Sequence, residues 1–351
     1  MNRRYANLQL QYGCNKSQKF ENKEKKIMSN IVYHYTSPEG ILSILKNKTL
    51  RFTDCQYLND KNELLYIQEP LEKAWAKICE EYGRESEKSD MDKMSEMFLR
   101  SPYQEDEIDC KAFKSKEELN FADLVLKNTK TYRYYVLCCS KDKDASNMWN
   151  YFVKNGAYLG YNLGISVPVF SEKLSGIINN SNHQVKFIRR PVIYEFNKQF
   201  NILYKEMKKT IDNKDKELSE PDVKNSMKLS LKLGSDFWSF IQDKKLFFKK
   251  PAFKSENEYR FVLKVDNNFN KKDENNEGNR LKLDFRIGSS GIITPFVEWK
   301  FNLEGKRELF KQITLAPTIE PKLAEESFKR FLDTTVYKNV EIEPSSIKMR
   351  F

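Results

Sequence analysis

Short runs in which apolar and polar side chains alternate recur from residue 31 to the end of the chain, without the regular helix-sized spacers of a βαβ protein. "IVYHYT" (31–36), "TLRFTD" (49–54), "TYRYYVLCCS" (131–140), "AYLGYNLGISV" (157–167), "HQVKFIRRPVIYEF" (183–196), "ENEYRFVLKVD" (256–266), "FKQITLAPT" (310–318) and "NVEIEPSSIKM" (339–349) all carry this strand signal. Together they predict an α+β fold with a mixed, mainly antiparallel sheet flanked by helices. Pro191 inside its run marks that segment as an edge strand or a bulge.

Helix signals fall between these runs. Ser37 offers an N-cap oxygen, Pro38 suits the first helical position, and Ile41, Leu42, Ile44 and Leu45 form an apolar stripe, so a helix is expected to about Asn47. Further helices are expected within 57–82, 144–156 and 321–333, and two lysine-rich ones within 198–248, separated by "NKDKELSEPD" (213–222). "NNFNKKDENNEGNR" (267–280) reads as a solvated hairpin-type loop. The organisation expected is a basic, flexible N-terminal extension over 1–27, then one domain over 28–351 with helical insertions near 62–130 and 198–248. No internal repeat and no glycine-rich phosphate loop is apparent.

The hydrophobic share of 39%, with 24 Phe and 18 Tyr, is far too aromatic for a disordered polyelectrolyte, although 32% of residues are charged. The net charge of +11 is uneven. Residues 1–27 hold seven Lys/Arg against Glu21 and Glu24, a net of +5, which leaves +6 for the remainder and weakens the case for a basic nucleic-acid face on the domain. No apolar run approaches the roughly 20 residues of a membrane span, so a cytoplasmic protein without a membrane partner is expected. The six cysteines form no CxxC pair and read as reduced thiols. With His34 and His183 the only histidines, no metal site is expected.

Three stretches could carry chemistry, and each has a plainer structural reading beside it. His34 and Thr36 share one face of the first strand and Tyr33 and Tyr35 the other, just before a helix N-terminus whose oriented N–H groups favour phosphate; alternatively, His34 is a hydrogen-bonded structural residue. "CSKDKDASNMWNYF" (139–152) leads from a strand end into a helix bearing Trp149 and Tyr151, which either cap a core or offer a flat ring to a base or nicotinamide. "FKSENEYRF" (253–261) places Glu256, Glu258 and Arg260 at period-two spacing, as an exposed sheet face does routinely. Two carboxylates beside an arginine are also a workable site for an oxocarbenium-like centre and a phosphate.

In order and spacing, "YHYTS…GILSIL", "LRFTD…LND", "LCCSKDKDASNMWNYF", "GYNLGISV", "KKPAFKSENEYRFVL" and "ITLAPT…FKRFLD…VEIEPSSIKMRF" resemble the bacterial domain-of-unknown-function family DUF2971, from about Ile31 to Phe351. A more distant similarity is to ADP-ribosyltransferases, in the sequence of histidine-bearing strand, aromatic middle segment and strand glutamate. That resemblance implies a split β-sheet holding NAD in a cleft. His34, with Tyr35 and Thr36, would bind a ribose, Tyr151 or Trp149 would stack on nicotinamide, and Arg260 would bind phosphate or hold the carboxylates. Glu258 would stabilise the ribose cation while Glu256 orients the acceptor.

The function expected is therefore that of an NAD-dependent ADP-ribosyltransferase-like enzyme, in bacterial anti-phage defence or as a toxin, acting on a protein or nucleic-acid acceptor with NAD as its substrate. The alternatives are an NAD glycohydrolase on the same site, a non-catalytic nucleotide- or nucleic-acid-binding module, and an interaction protein whose sheet carries partner contacts.

Overall fold

A computed structural model of the chain describes residues 30–58, 60, 62–83, 132–153, 158–180, 185–217, 236–266, 269, 280–288, 291–301 and 308–348. The N-terminal extension, most of the insertion near 62–130, the second half of the 213–222 turn region, His183, Cys14 and Cys110 lie outside the described residues. The strands are β1 (Ile31–Thr36), β2 (Thr49–Asp54), β3 (Tyr132–Ser140), β4 (Tyr161–Ser166), β5 (Val185–Pro191), β6 (Glu258–Asp266), β7 (Leu281–Ile287), β8 (Ile293–Lys300), β9 (Phe310–Leu315) and β10 (Glu341–Pro344). They fall into two compact units: Met1–Lys48, Cys139–Gly176 and Phe301–Phe351 form the first, Thr49–Cys138 and Ile177–Lys300 the second.

In the first unit β1 pairs antiparallel with β4, β4 antiparallel with β9, and β9 parallel with β10, while Tyr33 also pairs with Ser140. β1 alternates as its sequence requires and leads directly into the helix Pro38–Asn47. The Ser37 hydroxyl accepts from the Gly40 amide at 3.1 Å and Pro38 occupies the first turn, so the capping signal and the helix coincide. Gly40 is needed there, because a Cβ would run into the Thr36 hydroxyl. One sheet face packs Tyr33, Tyr35, Met148, Trp149 and Ala316 together.

In the second unit β2 pairs antiparallel with β3 and β8, β8 antiparallel with β7, and β6 pairs with β3 and β5. Among the described residues β5 pairs antiparallel with β6 alone and ends at Pro191, as an edge strand carrying a proline should. The helices Gln68–Glu81 and Phe196–Glu217 and the helical residues 236–245 bury Leu71, Ala74, Ile78, Leu203, Met207, Trp238 and Ile241 in one core with Phe248. Both units are α+β, with mixed or antiparallel pairing and flanking helices, which is the class the alternating runs imply.

Three expectations need correcting. The helix Val167–Asn180 follows β4 without a break. Its β-branched opening reads as more strand, and only Pro168 and the Ser171 hydroxyl, which donates to the Val167 carbonyl at 2.7 Å, mark the change. β7 and β8 form a hairpin that the sequence reading passed over, and Pro295 disguises β8; that proline is tolerated because the β2–β8 register ends at Phe296. Residues 267–280 lie almost wholly outside the described residues, and the strands on either side of them, β6 and β7, pair with other partners and not with each other.

Candidate active site

β6 supplies the first components. Glu258 and Arg260 are two residues apart and share a strand face, as expected, but that face is buried rather than solvated: Glu258 is 4% and Arg260 0% exposed. Glu256 is not on the strand. It closes a 3₁₀ turn, Pro251–Glu256, and Asn257 then adopts φ 44°, a left-handed conformation that Asn accommodates better than most residues. The turn nonetheless brings Glu256 back to the strand's charged face.

Two residues that the sequence reading missed complete the cluster. Lys249, 5% exposed, places its ammonium 2.6 Å from Glu256, 3.5 Å from Glu258 and 3.7 Å from Glu63. Arg260 donates to Glu258 through Nε at 3.2 Å and a terminal nitrogen at 2.5 Å, to Glu63, and to the Leu246 carbonyl at 2.7 Å. The Glu258 amide donates to the Tyr194 hydroxyl at 2.9 Å, which pins the start of the strand. Three carboxylates thus share two cations in a buried space.

Such a cluster is not an efficient stabiliser, because desolvation opposes the Coulomb gain and apolar replacements of similar volume often serve as well. Its consequence is a division of proton affinity. Burial raises the Glu256 carboxyl, and the Lys249 contact does not fully offset it. Burial acts on Glu258 too, but Arg260 and Lys249 outweigh it and hold that carboxyl below the ordinary range. Lys249 itself is lowered by burial yet held above its usual value by Glu258 and Glu63. Two neighbouring acids with opposite bias are the usual arrangement for acid–base work.

Lys249 also faces a cleft of about 330 Å³ with Asn62, Tyr66, Phe196, Gln199, Lys250 and Pro251 among its walls. That volume is at the lower end of small-ligand sites. Tyr66 is oriented by donating to Asp60 at 2.6 Å, and the Lys250 ammonium lies 5.1 Å from its ring centre. Gln199 donates to the Ile193 and Lys249 carbonyls at 2.6 and 3.0 Å, fixing the backbone that carries Lys249. Among the described residues no group of His, Cys, Asp and Glu could hold a metal ion.

The remaining sequence candidates lie in the first unit. His34 is half-buried and pairs with Leu163 across β1 and β4; Thr36 is half-buried beside Gly40. Trp149 is 0% exposed, meets Tyr35 edge to face at 4.7 Å and donates its ring N–H to Asp144 at 2.7 Å. Tyr35 donates to the Asp142 carbonyl at 2.8 Å and accepts from the Ala145 amide at 3.1 Å. These two rings are occupied in holding the 142–145 loop. Tyr151, 69% exposed, is the aromatic candidate with an open face.

The second unit's site is thus a buried carboxylate–cation cluster behind a small cleft. The family model described as "Protein of unknown function (DUF2971)" matches residues 148–261, a span that includes Trp149, Tyr151, Lys249, Glu256, Glu258 and Arg260 and leaves out His34, Tyr35, Thr36 and Glu63. The match supports the family resemblance read from the sequence. No curated protein and no solved structure matches the chain. No helix among the described residues is long and apolar enough to cross a membrane.

Proposed function

We propose that the second unit cleaves the N-glycosidic bond of an NAD-like dinucleotide, with transfer of ADP-ribose to a protein or nucleic-acid acceptor, as in an ADP-ribosyltransferase. The observation that carries this reading is that Glu256 and Glu258, shifted in opposite directions in proton affinity, both contact the ammonium of Lys249, a residue that lines the cleft. Breaking the bond between the ribose carbon and the nicotinamide nitrogen leaves neutral nicotinamide and a cationic ribose, so the step needs a held negative charge more than an acid or a covalent nucleophile. Glu258, kept ionised by Arg260, supplies that charge. Glu256, with its higher proton affinity, takes the proton of the attacking hydroxyl or amine as the new bond to the ribose carbon forms. Lys250 offers positive charge to the diphosphate, and Tyr66 and Phe196 offer flat walls. Water as the acceptor makes the same site an NAD glycohydrolase.

The test is release of free nicotinamide from NAD by the full chain, alone and with candidate acceptors. Glu258→Gln is expected to lower release by about 10²–10³-fold, the usual loss when a preorganised electrostatic contact is removed. Glu256→Gln, at the less buried acid, gives a second variant should the first fold poorly. NAD binding without release under all conditions would replace this reading with a non-catalytic nucleotide-binding one.

A further inference from the structure

On the first unit, the strand registers place two polar rows on one sheet face. Tyr35, Asn162, Thr314 and Glu343 are successive cross-strand partners over β1, β4, β9 and β10, and Tyr33, Gly164, Gln312 and Glu341 form the adjacent row. Partners directly opposite share a face and lie close enough for their side chains to touch. Asn162 and Thr314 are 0% and 1% exposed, and Gln312 is 6% exposed.

Most polar atoms at this face are engaged. Asn162 donates through its side-chain nitrogen to the Lys143 carbonyl, which settles the orientation of its amide. Lys143 donates to Glu343 at 2.6 Å, so the two charges that border the rows cancel. Three atoms remain without a hydrogen-bond partner among the described residues: the Asn162 side-chain oxygen, the Gln312 side-chain nitrogen and the Thr314 hydroxyl. All three sit at neighbouring positions of one strand pair. Buried polar groups are rarely left open, so three open ones side by side call for an explanation. Gly164 contributes no side chain to the row, and the Gln312 chain lies over it, its Cγ 2.7 Å from where a glycine Cβ would be.

We infer that these two rows bind a small neutral group presenting an N–H donor beside a carbonyl acceptor, the edge shared by primary carboxamides and lactam nucleobases. The Asn162 oxygen takes the donor, the Gln312 nitrogen supplies the acceptor's proton, and the Thr314 hydroxyl serves either. A carboxylate lacks the donor at neutral pH, and the Lys143 charge that would attract it is already held by Glu343. The inference is independent of the glycosidic-cleavage reading, since it uses neither Glu256, Glu258 nor the cleft.

The experiment is a titration of ¹⁵N-labelled full-chain protein, following the side-chain amide signals of Asn162 and Gln312, assigned by their loss in Asn162→Asp and Gln312→Glu. Propionamide and uracil are the probes that separate the two sources of this edge, with propionate as the isosteric control. The expected result is that the signals move with propionamide, uracil or both and stay put with propionate. Thr314→Val and Gln312→Met are expected to weaken the response at least tenfold. Thr314→Val should also raise the unfolding temperature of the unliganded protein, because an open buried hydroxyl is removed. Signals that ignore both amide probes up to tens of millimolar, that move equally with propionate, or that show contacts only to a long-lived water would overturn the inference.

Discussion

The two units bury polar groups by different means. The first fixes its 142–145 loop with neutral acceptors and donors, Tyr35, Trp149 and Asn162, with the Asp144 carboxylate that accepts from Trp149, Ser345 and Ser346, and with a partly exposed Lys143–Glu343 ion pair. The second encloses Glu63, Lys249, Glu256, Glu258 and Arg260 and depends on charge pairing. Neutral hydrogen bonds tolerate the loss of one partner at modest cost, whereas a buried ion left alone keeps its full desolvation penalty. The network that is expensive to break is also the one that sets two carboxylates apart in proton affinity, and the proposed function draws on that coincidence.

The contrast can be broken most forcefully at Arg260. Arg260→Met leaves Glu258 and Glu63 buried without their main counter-ion and is expected to cost about 3–5 kcal/mol in urea unfolding. A loss no larger than that of an ordinary core substitution would mean that the cluster relaxes into solvent.

Lys245 sharpens the point from the other side. It is buried and its ammonium has no hydrogen-bond partner among the described residues, and burial pushes it down to about 8. Its folded value lies below the unfolded one, so the unfolded chain binds more protons between about pH 8 and pH 10.5; stability should therefore rise with pH across that window. Lys245→Met is expected to stabilise the protein at pH 7 by about 3 kcal/mol, the free-energy equivalent of that lowered proton affinity, and to abolish the slope. A destabilised variant would show that the amine has a partner in solution.

In the first unit smaller effects are expected. Trp149→Phe removes the donor to Asp144 and part of a packed ring, for a loss of about 1–3 kcal/mol in the same assay. Tyr151→Ala, at an exposed ring, should change stability by less than about 0.5 kcal/mol. If the first loss matched that of Arg260→Met, the distinction between neutral and ionic networks would fail.

Local signals made β1 and its helix legible, because alternation over Ile31–Thr36 and the Ser37–Pro38 cap act within a few residues. The site was legible only where it was local too. Period-two spacing found Glu258 and Arg260, and proximity in sequence found Glu256 although a turn, not a strand, delivers it. Glu63 stands 197 positions from Arg260, and nothing local announces that pairing. Lys249 did leave a trace: it directly follows the apolar run Leu246-Phe247-Phe248, where a lysine must either leave the core or find carboxylates inside it. The open atoms of Asn162, Gln312 and Thr314 depend on register between β4 and β9, which the sequence does not display.

That Glu256 and Glu258 hold protons with different affinity in one cluster is tested most directly by ¹³C side-chain titration of the full chain, with Glu256→Gln and Glu258→Gln to assign the two carboxyls. Glu256 is expected to titrate above the ordinary glutamate range and Glu258 below it; two carboxyls titrating together at the ordinary value would contradict the division of roles between them.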